Sequence, residues 1–271
     1  MMPPKSAKTP SRTRASVARL RGGGRLDELH RLRSLVEREN ACSLPGCTID
    51  FVRFSTVLRR AMSRGYVKDV YGEFVLEGLS KGFTLGVSAA SLKGRRVFKN
   101  YPATYANRSS MSKAICSRVE RRKSLHLGPS NEVFAELNRV YPDYFCFPMN
   151  AVPKPHKPSE MRPTSDHTRT GFNAATIMGV LNHSLNTYKE TAYFLKTEFT
   201  MRVSDVEDAF PHLPLAPWLW VFFLFRWFAS PAATEEDVFC HLFADFGTRG
   251  MPGTFKIFFV DVVVRRAVSS Y

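Results

Sequence analysis

Asp205 occupies a position where a carboxylate needs a partner. The stretch Arg202-Val203-Ser204-Asp205-Val206-Glu207-Asp208-Ala209-Phe210-Pro211-His212-Leu213-Pro214-Leu215 reads as a strand that then turns. Val203 and Val206 favour a pleated, half-buried backbone, and Pro211 and Pro214 keep the turn after Asp208 short. An acidic side chain at the end of a buried strand is costly unless a cation or a donor meets it. Asp205 therefore binds a metal ion or caps the turn that follows; the residues alone leave both open. Lys154, Lys157 and Arg162 lie in and beside the proline-rich run Pro153-Lys154-Pro155-His156-Lys157-Pro158. A planar guanidinium suits phosphate bidentately, and a solvated hairpin tip is the plain alternative. A third stretch, Asp245-Phe246-Gly247, carries a glycine that allows close backbone approach.

Together these stretches resemble reverse transcriptases. Asp-Val-Glu-Asp-Ala-Phe followed by Leu-Pro-Leu is similar to the first catalytic motif of those enzymes. Asp245 to Phe255 resembles their downstream Phe-Gly-Leu-x-x-x-Pro-x-x-Phe motif. Val152 to Lys157, continuing through Arg162-Pro163-Thr164-Ser165-Asp166 to Asn173, resembles their fingers hairpin. The three occur in the family's order, and the resemblance covers roughly residues 70–271. It is closest to retrotransposon enzymes of the tyrosine-recombinase (DIRS-like) and gypsy types. Gly78 to Gly86 also resembles a segment that precedes the polymerase core in DIRS-like enzymes, although its residues alone say only helix, cap and strand.

The resemblance implies RNA-templated DNA synthesis in the intact parent protein, by nucleotidyl transfer at two Mg²⁺ ions, with Mn²⁺ as a substitute. Asp205 is then the catalytic, metal-binding carboxylate, and the Val206 carbonyl a further oxygen ligand. Asp208, through its backbone amide, and Ala209 adjoin the incoming nucleotide. Phe210 lies under its sugar and favours deoxynucleotides; the plain alternative is a core phenylalanine, one of 22 in the chain. Lys154 or Lys157, with Arg162, holds the triphosphate, while Phe246 and Gly247 lie beside the base and template. The implied partners are an RNA or DNA template-primer and deoxynucleoside triphosphates.

One departure matters. The family's aromatic-x-Asp-Asp motif, which supplies the remaining metal ligands, does not occur in these residues. The sequence thus reads as fingers and an incomplete palm. By itself it is expected to perform no templated synthesis, and a non-catalytic nucleic-acid-binding remnant is the alternative. In a longer product that extends primers, Asp205→Asn is expected to abolish extension; activity surviving that change would remove Asp205 from its role.

Composition narrows the class. A net charge of +15 in 271 residues points to a polyanionic partner, or else to a basic tail on an ordinary protein. Residues 1–25 are rich in Pro, Ser, Lys, Arg and Gly, with no acidic residue before Asp27, and cannot bury a core. They fit a phosphate-binding arm, a nuclear signal or a transit peptide. Five cysteines form no dense, even framework, which favours a reducing intracellular compartment, cytoplasm or nucleus. Cys42 and Cys47 are spaced as half a zinc site, but no second pair follows at finger spacing. The apolar run from Trp218 to Phe228 is broken by Arg226 and is too short to span a bilayer, so no membrane partner is expected.

The expected fold class is α+β: a partial right-hand polymerase preceded by a helical N-terminal region. The divisions are a disordered basic tail (1–25), a mainly helical region (26–130), and fingers with partial palm (131–271). Leu29, Leu32, Leu35 and Val36 predict a helix from Leu26 to Asn40. Others are expected from about Asp50 to Ser63, from Val70 to a glycine stop, and from Glu132 to Val140 with Asn131 as its cap. Arg118, Arg121, Arg122 and Lys123 form a charge cluster, either a solvated helix face or a template-contacting one. Phe145–Pro153 and Met161–Asp166 are expected to pair as a hairpin. A helix over Thr187–Lys196 and a strand over Glu198–Val203 lead into Asp205. Trp218–Trp227 and Val238–Phe243 are read as strands, and a helix starting at Pro252 is expected under the sheet.

Overall fold

A computed structural model describes residues 26–154, 157–182 and 209–264. Asp205, Val206 and Asp208 lie outside the described residues, as do the expected basic tail, the helix over Thr187–Lys196 and the strand over Glu198–Val203.

Helices form where apolar periodicity and punctuation place them. α1 (Asp27–Arg38) buries Leu29, Leu32 and Val36, with Asp27 and Glu28 in its first turn, where the helix dipole favours negative charge. α2 (Phe51–Ser63) starts at Asp50, whose carboxylate accepts the Arg53 N–H at 3.0 Å. α3 (Asp69–Lys81) ends at Gly82, with φ +89°. α4 (Pro102–Ala106) and α5 (Arg108–Glu120) follow the short strand β1 (Arg95–Val97).

β2 (Ser124–Pro129) runs straight into α6 (Ser130–Val140). Asn131 is therefore inside the helix and does not cap it; Pro129 occupies the cap position with no side-chain bond. The expected strand Phe145–Pro153 is divided at Phe147-Pro148. Its first part, β3 (Tyr144–Cys146), joins the large sheet, and its second, β4 (Met149–Lys154), pairs with β5 (Lys157–Ser165). The run expected as a strand from Trp218 is a 3₁₀ helix over Pro217–Phe222, and only β6 (Leu224–Trp227) is extended. Pro217 pre-sets the first turn, and a wholly buried apolar run carries no periodicity to separate the two conformations. β7 (Asp237–His241) returns beside β6.

The main sheet is mixed, in the order β1-β3-β6-β7-β2. β1, β3 and β6 run parallel, while β7 is antiparallel to both β6 and β2. Strands from both sides of residue 130 make this one sheet, so the expected mainly helical segment contributes β1 and β2 to it. The fold is α+β. Its core is dense in aromatic rings: Phe147, Phe172, Phe223 and Phe225 are all essentially inaccessible. α7 (Met251–Phe255) carries Pro252 in its first turn and continues as a π-helix over Lys256–Val264. That segment packs chiefly on α3, with Phe258 stacked on Phe54 of α2 at 5.8 Å, rather than under the sheet. Its apolar residues find helix faces there, and the sheet is already lined by its own aromatic layer. No helix among the described residues is long and apolar enough to cross a membrane.

Candidate functional site

The β4–β5 hairpin supplies the basic residues. Its antiparallel register opposes Val152 to Arg162 and Lys154 to Lys157. At the tip, Glu160 takes both lysines, Lys154 at 2.7 Å and Lys157 at 3.6 Å. Both pairs are exposed, so each contributes little to stability, and either lysine can exchange Glu160 for another anion. Arg162 lies further down the hairpin, with its guanidinium carbon 5.0 Å from the centre of the Phe246 ring. Stacking on a ring face leaves the guanidinium edge with its N–H donors available.

Phe246 is also where the third stretch meets the first. The Phe210 and Phe246 ring centres are 4.6 Å apart, and Phe210 meets Phe255 edge-on at 5.7 Å. Ala209 and Phe210 are half-buried. They are held there by the chain that follows, which is bonded on both flanks. Leu215 N–H donates to the Leu242 carbonyl, and Ala244 N–H to that of Leu213. On the other side Phe83 N–H donates to Pro214, and Ala216 N–H to Phe83. The Leu-Pro-Leu element thus runs between the segment after α3 and the segment after β7. That is the physical role of Phe83 and of Gly82, which lies against the Leu215–Ala216 backbone, a pairing invisible in the sequence. Gly247 is exposed, and its carbonyl accepts from Asn173 Nδ2 at 2.9 Å. Asn173 Oδ1 accepts the Arg249 N–H at 2.8 Å, so Asn173 clamps the Phe246–Arg249 loop from both ends.

Beneath this surface lies a group of polar residues that sequence reasoning missed. Asp245 is buried, yet bonded on every side. Ser165 Oγ donates to its Oδ2, and His167 Nε2 lies 3.2 Å from its Oδ1. His241 Nε2 is 3.4 Å from Oδ2, without hydrogen-bond alignment. Ser124 Oγ lies 2.7 Å from His241 Nδ1. Burial pushes the Asp245 carboxyl up, but the imidazoles of His241 and His167 outweigh it and hold the group at about 2. Burial is the main cause that drives His241 down to about 3, against the pull of Asp245. Burial thus favours the neutral imidazole at ordinary pH, with Nδ1 the ring atom paired to Ser124 Oγ.

Ser124, His241 and Asp245 have the residue types of a hydrolase triad, but each is at most 3% exposed. Two surface clefts, of about 270 and 290 Å³, are lined by other residues. Buried among the described residues and lining neither cleft, this group acts as a brace. It joins the end of β5 to the segment after β7, and so sets Arg162 against Phe246. A signal for it was present: Asp245 follows Leu242-Phe243-Ala244, a carboxylate at the end of an apolar run, which is the argument applied to Asp205.

Asp166 braces the same corner. It accepts from Tyr101 Oη at 2.6 Å and from the Thr168 and Arg169 N–H groups. Burial opposes its ionisation, but these donors hold its carboxyl below the usual range. The charge cluster at the end of α5 divides. Arg121 and Arg122 are exposed, whereas Lys123 turns inward, its Nζ 2.7 Å from the Gly46 carbonyl and 4.2 Å from the Phe243 ring centre. Arg118 is half-buried and acts electrostatically on His241.

The expected metal ligands, Asp205 and the Val206 carbonyl, lie outside the described residues. Among the described residues no group of His, Cys, Asp or Glu is arranged to hold a metal ion, and Asp245 is fully engaged by its neighbours. No protein-family model matches the chain, and no curated protein does.

Proposed function

We propose that this chain carries the fingers and part of the palm of a retroelement reverse transcriptase, the portion that binds template-primer and incoming deoxynucleotide. The observation that supports the reading is convergence. Three stretches selected for their resemblance, Val152 to Asn173, the described residues 209–215 of the first motif, and Asp245 to Phe255, meet at Arg162, Phe246 and Phe210. On this reading the Arg162 guanidinium, positioned by the Phe246 ring, contacts the triphosphate. The Phe210 edge faces the sugar, and the exposed Gly247 backbone passes close to the base. Asp205, with Val206, would hold the Mg²⁺ that neutralises the phosphates. The net charge of +15 and the exposed arginines Arg53, Arg60 and Arg64 on and beside α2 suit a nucleic-acid partner. They equally suit the second reading, a non-catalytic nucleic-acid-binding remnant.

The experiment is photocrosslinking of the chain to a deoxynucleoside triphosphate analogue in the presence of an RNA–DNA primer-template. The label is expected on peptides containing Phe210 or Phe246. Arg162→Ala is expected to reduce it about tenfold or more, the worth of a charge-assisted phosphate contact. Salt-sensitive primer-template binding without nucleotide labelling would select the remnant reading. Failure of both would overturn both.

A further inference from the structure

Cys42 and Cys47 lie in one tight turn between α1 and α2, away from the nucleotide residues. Cys42 is in a 3₁₀ turn over Ala41–Ser43, and Cys47 N–H closes the next turn on the Leu44 carbonyl at 2.8 Å. The turn is pressed against the start of β2. A side chain at Gly46 would meet the Arg122 carbonyl and the Phe243 ring. Lys123 is fixed between them, donating to the Gly46 carbonyl at 2.7 Å while its ammonium lies over Phe243. A cation is thereby held beside Cys47. The turn brings the two thiols close enough for each to shift the ionisation of the other. Cys42 Sγ donates to the Leu79 carbonyl at 3.3 Å. Both cysteines are half-buried free thiols.

We propose that Cys47 and Cys42 form a redox-active dithiol, with Cys47 the nucleophile that hydrogen peroxide oxidises and Cys42 the resolving thiol. The Cys47 thiolate attacks one peroxide oxygen. The O–O bond breaks, an S–O bond forms, and hydroxide leaves. The Cys42 sulfur then attacks the Cys47 sulfenic acid, an S–S bond forms, and the S–O bond breaks with loss of water. The two sulfurs are oxidised, and the peroxide is reduced to one water and one hydroxide; the hydroxide becomes a second water by taking up the proton that Cys47 released on ionising.

The surroundings divide these roles. The neighbouring Cys42 thiol, then the backbone N–H groups of Ile49 and Thr48 and the Lys123 charge, outweigh burial and lower Cys47 below the usual thiol range. The Cys47 neighbour and burial push Cys42 up, so it keeps its proton until the resolving step. A thiol lowered in this way carries more thiolate at neutral pH than an ordinary one. Cys116 is the internal control. It is exposed, yet burial of its sulfur and the Glu120 charge raise it. Cys146 and Cys240 are buried and raised by burial.

The experiment is timed alkylation of the folded chain with iodoacetamide at pH 6.5–7, read by peptide mass spectrometry. Cys47 is expected to react about tenfold faster than the more exposed Cys116, after allowing for the lower nucleophilicity of a low-pKa thiolate. Brief peroxide treatment is expected to link Cys42 to Cys47. In Cys42→Ala, peroxide is expected to stop at a Cys47 sulfenic acid that dimedone traps. Alkylation of Cys116 ahead of Cys47 would overturn the proposal in the wild-type chain, whether or not the variant folds. So would peroxide treatment that yields no Cys42–Cys47 link.

Discussion

Asp245→Ala is expected to cost about 3–5 kcal/mol of stability, the scale for removing one partner from a buried charged group. Total stability for a chain of this kind is about 5–15 kcal/mol, so this single change consumes much of it. The reason is that Asp245 is an acceptor shared by Ser165 and His167, and it also faces His241. Truncation leaves those buried polar groups facing a void. Urea unfolding measures the loss, and a shift below about 1 kcal/mol would show that the brace contributes little. Asp245→Asn keeps the shape and loses the charge, and should fall between wild type and alanine.

The same network makes the fold acid-labile. Both His241 and Asp245 titrate lower in the folded chain than in the unfolded one, from 6.5 to about 3 and from 3.8 to about 2. The unfolded chain therefore binds more protons in acid, and stability rises with pH. Their contribution is complete above about pH 6.5. It falls first as pH drops through the His241 window and then through that of Asp245. Unfolding midpoints from pH 7.5 to 4 should decline, and His241→Gln should flatten the upper part of that slope. An unchanged slope in the variant would assign the lability elsewhere.

Gly247→Ala is expected to separate the hairpin from the Phe246 loop and to cost on the order of 3 kcal/mol. Gly247 has a φ of +118°, where an L-residue is strained. A Cβ there would run into the Ser165 carbonyl oxygen. That oxygen belongs to backbone tied to this loop, since Ser165 N–H donates to the Phe246 carbonyl at 3.1 Å. It cannot swing aside as a side-chain tip would. Arg162 should then lose its seat on Phe246, and nucleotide crosslinking should fall with stability. Wild-type stability in the alanine variant would mean that the close approach is not maintained in solution.

The helices were legible because their signals are local. Leu29, Leu32 and Val36 repeat at helical spacing, Asp50 is a ready cap, and Gly82 marks a stop. The β4–β5 hairpin was legible for the same reason, its prolines and lysines punctuating two extended runs. The 3₁₀ helix over Pro217–Phe222 was not, because burial on all sides erases the polar positions that reveal a period. Nor was the division at Phe147-Pro148, which depends on β3 finding β1 and β6 as neighbours.

At the site, the sequence by itself determined which residue types are present and in what order: Arg162, Ala209-Phe210 and Phe246-Gly247, with Asp205 awaiting a cation or a donor. Those are properties of covalent neighbours. Only the tertiary structure decided that Arg162 lies over Phe246, that Lys123 turns inward beside Cys47, and that Asp245 ties Ser165 and His167 together beside His241. Apart from Asp245 and His241, each contact joins residues dozens of positions apart, and burial decides whether a charged group faces water or a partner. A sequence records the charge; the fold sets the dielectric and the neighbour that give it a role.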